Sequence, residues 1–149
     1  MKLVRMKNSE IKVLEDFLID SNNDLKLKGR VSRYRTRFVK LLEDQLTSVR
    51  EEHASIIKQY ANLDDNGEPK TKDVEGDSVY DIDNEKMLEF AKEYEDLMAE
   101  DFVIVVDESN RKMVKSVRDA ILDCELEFYG ESAFVFDRLC DIIEGEDEW

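Results

Sequence analysis

The chain has 149 residues, 42% hydrophobic and 40% charged, with five Gly, one Pro and a formal charge of −15. That length suits one domain, the apolar content is enough for a core, and the scarcity of breakers favours long helices. No apolar run is long enough to span a membrane, and the start from Met1 to Asn8 lacks the apolar stretch of a signal peptide, so the chain is expected to stay where it is made.

The charge is unevenly spread. Residues 1–62 carry 13 Lys/Arg and 9 Asp/Glu, whereas residues 63–149 carry 9 and 28, so the −15 divides into +4 and −19. An acidic part of this kind repels nucleic acid and attracts basic protein surfaces. The competing reading is that the two parts neutralise each other across the fold. Cys124 and Cys140 sit in apolar patterns with no Cys-x-x-Cys, and read as buried free thiols rather than a disulfide or redox pair.

In chain order, Leu3, Val4 and Met6 predict a short strand. Asn8 or Ser9 then offers a side-chain oxygen to cap a helix. Ile11, Leu14, Phe17 and Leu18 repeat at helical spacing to about Ile19. Ser21 to Asp24 reads as a turn. The strongest periodic signal follows: Val31, Tyr34, Phe38, Leu42, Leu46, Val49, His53, Ile56 and Tyr60 step by three or four with no Gly or Pro between. At ~1.5 Å per residue this predicts a helix about 45 Å long, which needs a partner along its length.

Residues 63–83 hold the single Pro and two Gly, and read as a loop. Met87, Phe90, Ala91, Tyr94, Leu97 and Met98 predict a helix over 84–100. Phe102 to Val106 is β-branched and apolar and reads as a buried strand. Ser109 can cap a helix carrying Val114, Val117, Ile121 and Leu122 inward. Leu126 and Phe128 suit a short extended piece ending at Gly130. Ala133, Phe136, Leu139, Cys140 and Ile143 mark a last helix, and 145–149 reads as a frayed acidic tail.

These pieces predict a single mainly α (α+β) domain over 1–149. A long antiparallel helical hairpin forms across the 63–83 loop, with Phe38, Leu42, Leu46, Val49 and Ile56 buried against Phe90, Tyr94 and Leu97. A two- or three-stranded sheet of 2–7 and 102–106 and two shorter C-terminal helices complete the core.

Several clusters are candidate sites. Lys26, Lys28, Arg30, Arg33, Arg35, Arg37 and Lys40 occupy fifteen residues without an acidic one. Arg30, Arg33, Arg37 and Lys40 step by three, four and three, so they share one helix face and form a candidate anion-binding row. The favoured alternative is that acidic residues of 84–101 and the C-terminal segment neutralise them. Asn62, Asp64, Asn66, Gly67 and Asp73 faintly copy a Ca²⁺ loop. Pro69 stands at an apolar position, Asp73 is shorter than the usual bidentate Glu, and an Asp-Asn-Gly turn explains the stretch better. His53 lacks partner ligands for a metal and reads as a partly buried histidine. No phosphate-binding Gly-rich loop, Gly-x-Ser-x-Gly or His-Glu-x-x-His is present. No catalytic residue, cofactor or metal site is expected.

Taken together, these stretches resemble a phage-encoded domain-of-unknown-function family found in phages and prophages of Firmicutes. The resemblance rests on Met6 to Lys12 with Phe17-Leu18, Leu27 to Arg33 with Arg37 to Leu42, Tyr60 with Asp64 to Glu68, Phe90-x-x-Glu93-Tyr-x-x-Leu97, and Tyr129 to Phe134. Their order spans nearly the whole chain. The Asn22–Asp24 turn and the acidic Trp149 tail depart from the pattern. The resemblance implies expression in the cytoplasm of an infected or lysogenic bacterium and carries no site residues over.

The function expected is a small acidic binding protein without catalysis. It would meet a host or phage protein with a basic surface, and could inhibit a nucleic-acid-binding or defence factor by presenting carboxylates in place of phosphates. Direct contact with nucleic acid or membrane is not expected. The partner-binding residues would be Asp73, Glu75, Asp77, Asp81, Asp83, Glu144, Glu146, Asp147, Glu148 and Trp149. The alternative is a virion structural or assembly accessory that uses the long helix for protein contacts or oligomerisation.

Overall fold

The computed structural model describes residues 2–19 and 25–145. The Ser21–Asp24 turn and the tail residues Glu146, Asp147, Glu148 and Trp149 lie outside them. The chain is mainly α with a little β. The chain divides into two compact units: Met1–Leu46 with Asp101–Trp149, and Thr47–Glu100.

In the first unit, β1 (Lys2–Lys7) pairs antiparallel with β4 (Asp101–Val106), matching Val4 with Ile104 and Met6 with Phe102. Period-two alternation turns Val4, Met6, Ile104 and Val106 inward. Val103 and Val105 are exposed at 37% and 44%, so the predicted buried strand is buried on one face only. A two-stranded sheet has one covered face here, and its outer face mixes these valines with an ionic cluster: Arg5 and Lys7 bind Asp101 at 3.3 and 2.9 Å. These cations hold the Asp101 carboxyl below its usual range, Lys7 foremost.

Helix α1 (Asn8–Ile19) buries Ile11, Leu14, Phe17 and Leu18. The backbone N–H of Lys7 donates to Glu10 Oε1 at 2.9 Å, one half of a capping box. Asn8, one of the two expected caps, is buried and accepts from Gln45 Nε2 at 3.1 Å. Helices α4 (Arg111–Leu122) and α5 (Glu131–Glu144) contribute Val114, Val117, Ile121, Leu139, Ile142 and Ile143. Asn110, not Ser109, precedes α4 as its N-cap. Ser109 donates its N–H and hydroxyl to Asp107, a local turn bond that removes it from capping. The 126–130 segment forms no strand; Phe128 stacks on Phe136 at 4.2 Å, and Phe17 packs beside both. Cys124 and Cys140 are free and half-buried, and burial pushes the Cys140 thiol up.

Helix α2 (Gly29–Tyr60) runs for 32 residues, as the stripe predicts. Its partners differ from the expected hairpin. Phe38, Leu42 and Leu46 join the core of the first unit, with Val4, Ile11 and Val117. Only its C-terminal part packs on α3 (Met87–Ala99), through Ile56, Tyr60 and Phe90. The cause is length: at ~1.5 Å per residue α2 is about 48 Å long and α3 about 20 Å, so α3 can cover less than half of the stripe.

The second unit has a small core of Ile57, Tyr60, Ala61 and Ile82. The expected 63–83 loop is ordered by β pairing. Strands β2 (Thr71–Val74) and β3 (Asp77–Tyr80) form an antiparallel hairpin, and bridges join Ala61 to Ile82 and Leu63 to Pro69. Glu75 and Gly76 both take positive φ, 52° and 90°, the requirement of a two-residue turn that follows strand twist.

Candidate functional site

The second unit concentrates the charge. Thr47–Glu100 contains six Lys/Arg and sixteen Asp/Glu, a net −10 of the chain's −15. Two of its cations pair locally: Lys58 lies 3.7 Å from Glu68 and Lys72 lies 3.7 Å from Asp81. Of its carboxylates, all but those of Asp81 and Glu93 are exposed.

The turn carboxylates have structural duties. Asp64 Oδ1 accepts the N–H groups of Asn66 and Glu68 at 2.8 and 3.0 Å, the Asp-Asn-Gly turn that the sequence favours over a Ca²⁺ loop. Among the described residues no group of three His, Cys, Asp or Glu is placed to hold a metal. Asn62 Nδ2 donates to Asp81 Oδ2 at 3.3 Å and to Asp83 Oδ1 at 3.1 Å. Of the partner-binding candidates, Asp73, Glu75 and Asp77 stand exposed on the hairpin, Asp83 is exposed, and Asp81 is half-buried in this local network. Glu144 ends α5 in the other unit. Val74, Val79 and Tyr80 are also 46%, 39% and 46% exposed, so apolar surface lies among the hairpin carboxylates.

A second group of carboxylates went unmarked in the sequence. Glu52 from α2, with Glu93, Asp96 and Glu100 at the end of α3, lines an open groove of about 490 Å³ floored by Ile56 and Leu97. Glu89, Glu93, Asp96 and Glu100 step by four, three and four, the same helix-face spacing that reveals the basic row; the abundance of Asp and Glu conceals it. Tyr60 fixes Glu93 by donating its hydroxyl to Oε1 at 2.8 Å. That bond, with burial added, pushes the Tyr60 phenol up to about 12. His53 is half-buried with its ring 4.7 Å from that of Tyr94.

No family model, curated protein or solved structure matches the chain. Its chemistry is read from its own residues.

The basic row lies on the part of α2 that belongs to the first unit. Arg30, Arg33, Arg37 and Lys40 are all exposed, and no ion pair among the described residues reaches them. Arg138 of α5 is matched by Glu10 at 2.6 Å. Arg35 departs from the row: it donates to the Leu25 carbonyl at 2.7 Å and supports the segment before α2. Among the described residues no helix is long and apolar enough to cross a membrane.

Proposed function

We propose that this chain is a non-catalytic acidic binding protein that docks a basic protein surface through residues 47–100. One observation carries the reading: a compact unit of 54 residues holds −10 of the net charge with few ion pairs to offset it. Exposed carboxylates of one sign attract a basic patch over several ångströms and raise its encounter rate. Val74, Val79 and Tyr80 add apolar contact area amid that charge, and apolar and aromatic anchors contribute most of the affinity of such interfaces. The partner is a nucleic-acid-binding or defence protein of an infected bacterium. The carboxylates would occupy the places where it holds phosphates, in the host cytoplasm.

The experiment is affinity capture from host lysate with the purified chain, followed by binding measurements on the captured protein across NaCl concentration. Affinity should fall steeply from about 0.05 to 0.5 M, since the screening length shortens to about 10 Å at 0.1 M. Duplex DNA should compete. Replacing Asp73, Glu75 and Asp77 by Asn or Gln should weaken binding. Salt-independent binding that DNA leaves unchanged would sink the phosphate-mimic reading.

The exposed basic row on α2 favours a second reading, a virion assembly accessory. Mass spectrometry of purified virions separates the two: a fixed copy number per particle supports the accessory, and absence from particles supports the inhibitor.

A further inference from the structure

Arg30, Arg33, Arg37 and Lys40 form a line on α2 that rises about 15 Å at ~1.5 Å per residue. Glu89, Glu93, Asp96 and Glu100 form a line on α3, through its C-cap, that rises about 16 Å. Each line has four charges of one sign at alternating steps of three and four. All four cations are exposed, as are Glu89, Asp96 and Glu100; Glu93 is half-buried beneath Tyr60. No ion pair within the described residues reaches any of the eight.

We infer that the basic α2 line of one copy docks on the acidic α3 line of a second copy. The occupant is chosen by match of charge, number and length, all present in this one sequence. The inference rests on the reading that residues 47–100 are a docking surface, and it names a second copy as one ligand of that surface. Because the two faces differ, the contact is heterologous: a docked pair keeps one unused face of each kind, the acidic face of one copy and the basic face of the other, so copies add head to tail into a ring or an open chain.

Two opposed electrostatic effects set the salt response. Each copy carries −15, so whole molecules repel, over about 30 Å at 0.01 M salt but only about 10 Å at 0.1 M. Contact pairs at a few ångströms survive that screening and weaken at about 1 M, where the length is about 3 Å. Association is therefore strongest near 0.1 M. Exposed pairs are individually weak, so it needs high protein concentration.

Sedimentation velocity on the intact chain tests this at several protein concentrations in 0.01, 0.1 and 1 M NaCl, with two variants. One replaces Arg30, Arg33, Arg37 and Lys40 by Gln. The other carries Glu89→Gln, Asp96→Asn and Glu100→Gln and leaves Glu93 bonded to Tyr60. Circular dichroism confirms that both remain folded. Wild type should form species larger than a dimer near 0.1 M and fewer at either extreme. Each variant alone should stay monomeric. Mixed, they should give a one-to-one dimer and nothing larger, because only one complementary pair of faces survives. A wild type that is monomeric throughout, or a basic-row variant that still self-associates, overturns the inference. So does a monomeric wild type whose basic row binds duplex DNA, which would make a polyanion the occupant. The basic-row variant should still bind a captured basic partner, so loss of self-association and failure of the docking reading are separately visible.

Discussion

Gly145 ends α5 with φ 71°, and a Cβ at this position would lie 2.7 Å from the Leu3 carbonyl oxygen. Both the backbone angle and the close approach to β1 require glycine. Gly145→Ala should lose more than about 1 kcal/mol in urea unfolding; an unchanged midpoint would show that β1 yields freely. Glu15 is a different residue-scale feature. It is 1% exposed, next to Glu43, with Lys12 3.1 Å away. Burial pushes its carboxyl up, the Glu43 carboxyl adds to this, and Lys12 opposes it. A raised folded value means the folded chain binds more protons than the unfolded one between the two pKa values. The stabilisation is complete below the unfolded value and is lost as pH rises through the folded one. Glu15→Gln should therefore raise stability at pH 7 and flatten the decline that begins as pH rises above the ordinary carboxylate range, measured by thermal midpoints. Glu10 has the opposite sign: Arg138 holds its carboxyl low, so its contribution is present at neutral pH and disappears in acid.

At the scale of elements, what could be read in advance follows from burial. Val4, Met6, Leu14, Phe38 and Leu42 sit in one core because period-two and helical spacings register directly in the order of apolar residues. The partner of each stripe was less legible. Nothing local to Phe38 tells whether α3 or α1 covers it; that depends on the 13-residue length of α3. Phe38→Ala should cost about 3–5 kcal/mol even though no residue of α3 belongs to its cluster. The hairpin of β2 and β3 escaped notice because its strands have four residues each and every one is exposed, so no apolar alternation marks them. Its turn did carry a signal, Glu75-Gly76. Asn tolerates positive φ better than Glu, so Glu75→Asn should stabilise the hairpin, by about 0.5 kcal/mol, seen as slower amide exchange from Thr71 to Tyr80. Among the site residues, the basic row was legible as helix spacing, whereas the fourfold acidic row of α3 was hidden by the abundance of Asp and Glu around it.

For the whole molecule, the two units have unequal cores: seventeen buried residues cluster in the first and four in the second. Stability follows buried apolar area, and local opening is easiest where that area is small. Hydrogen exchange should show amides of Thr47–Glu100 exchanging faster than those of α1 and α5. Net charge acts on the same unit. Its −10 repels itself, and salt relieves that repulsion. Raising NaCl from about 0.02 to 0.5 M should raise the thermal midpoint by about 2–4 °C, the shift of roughly 1 kcal/mol at this size. A falling midpoint would show that ion pairs such as Glu10–Arg138 matter more. The 71–80 hairpin also has a practical consequence. Every side chain in it faces solvent, and its tip needs only a tight turn, which makes the Glu75–Gly76 bond a natural port for inserting an epitope or a fluorophore. A label there would touch neither core and would report from within the acidic face itself when another molecule settles on it.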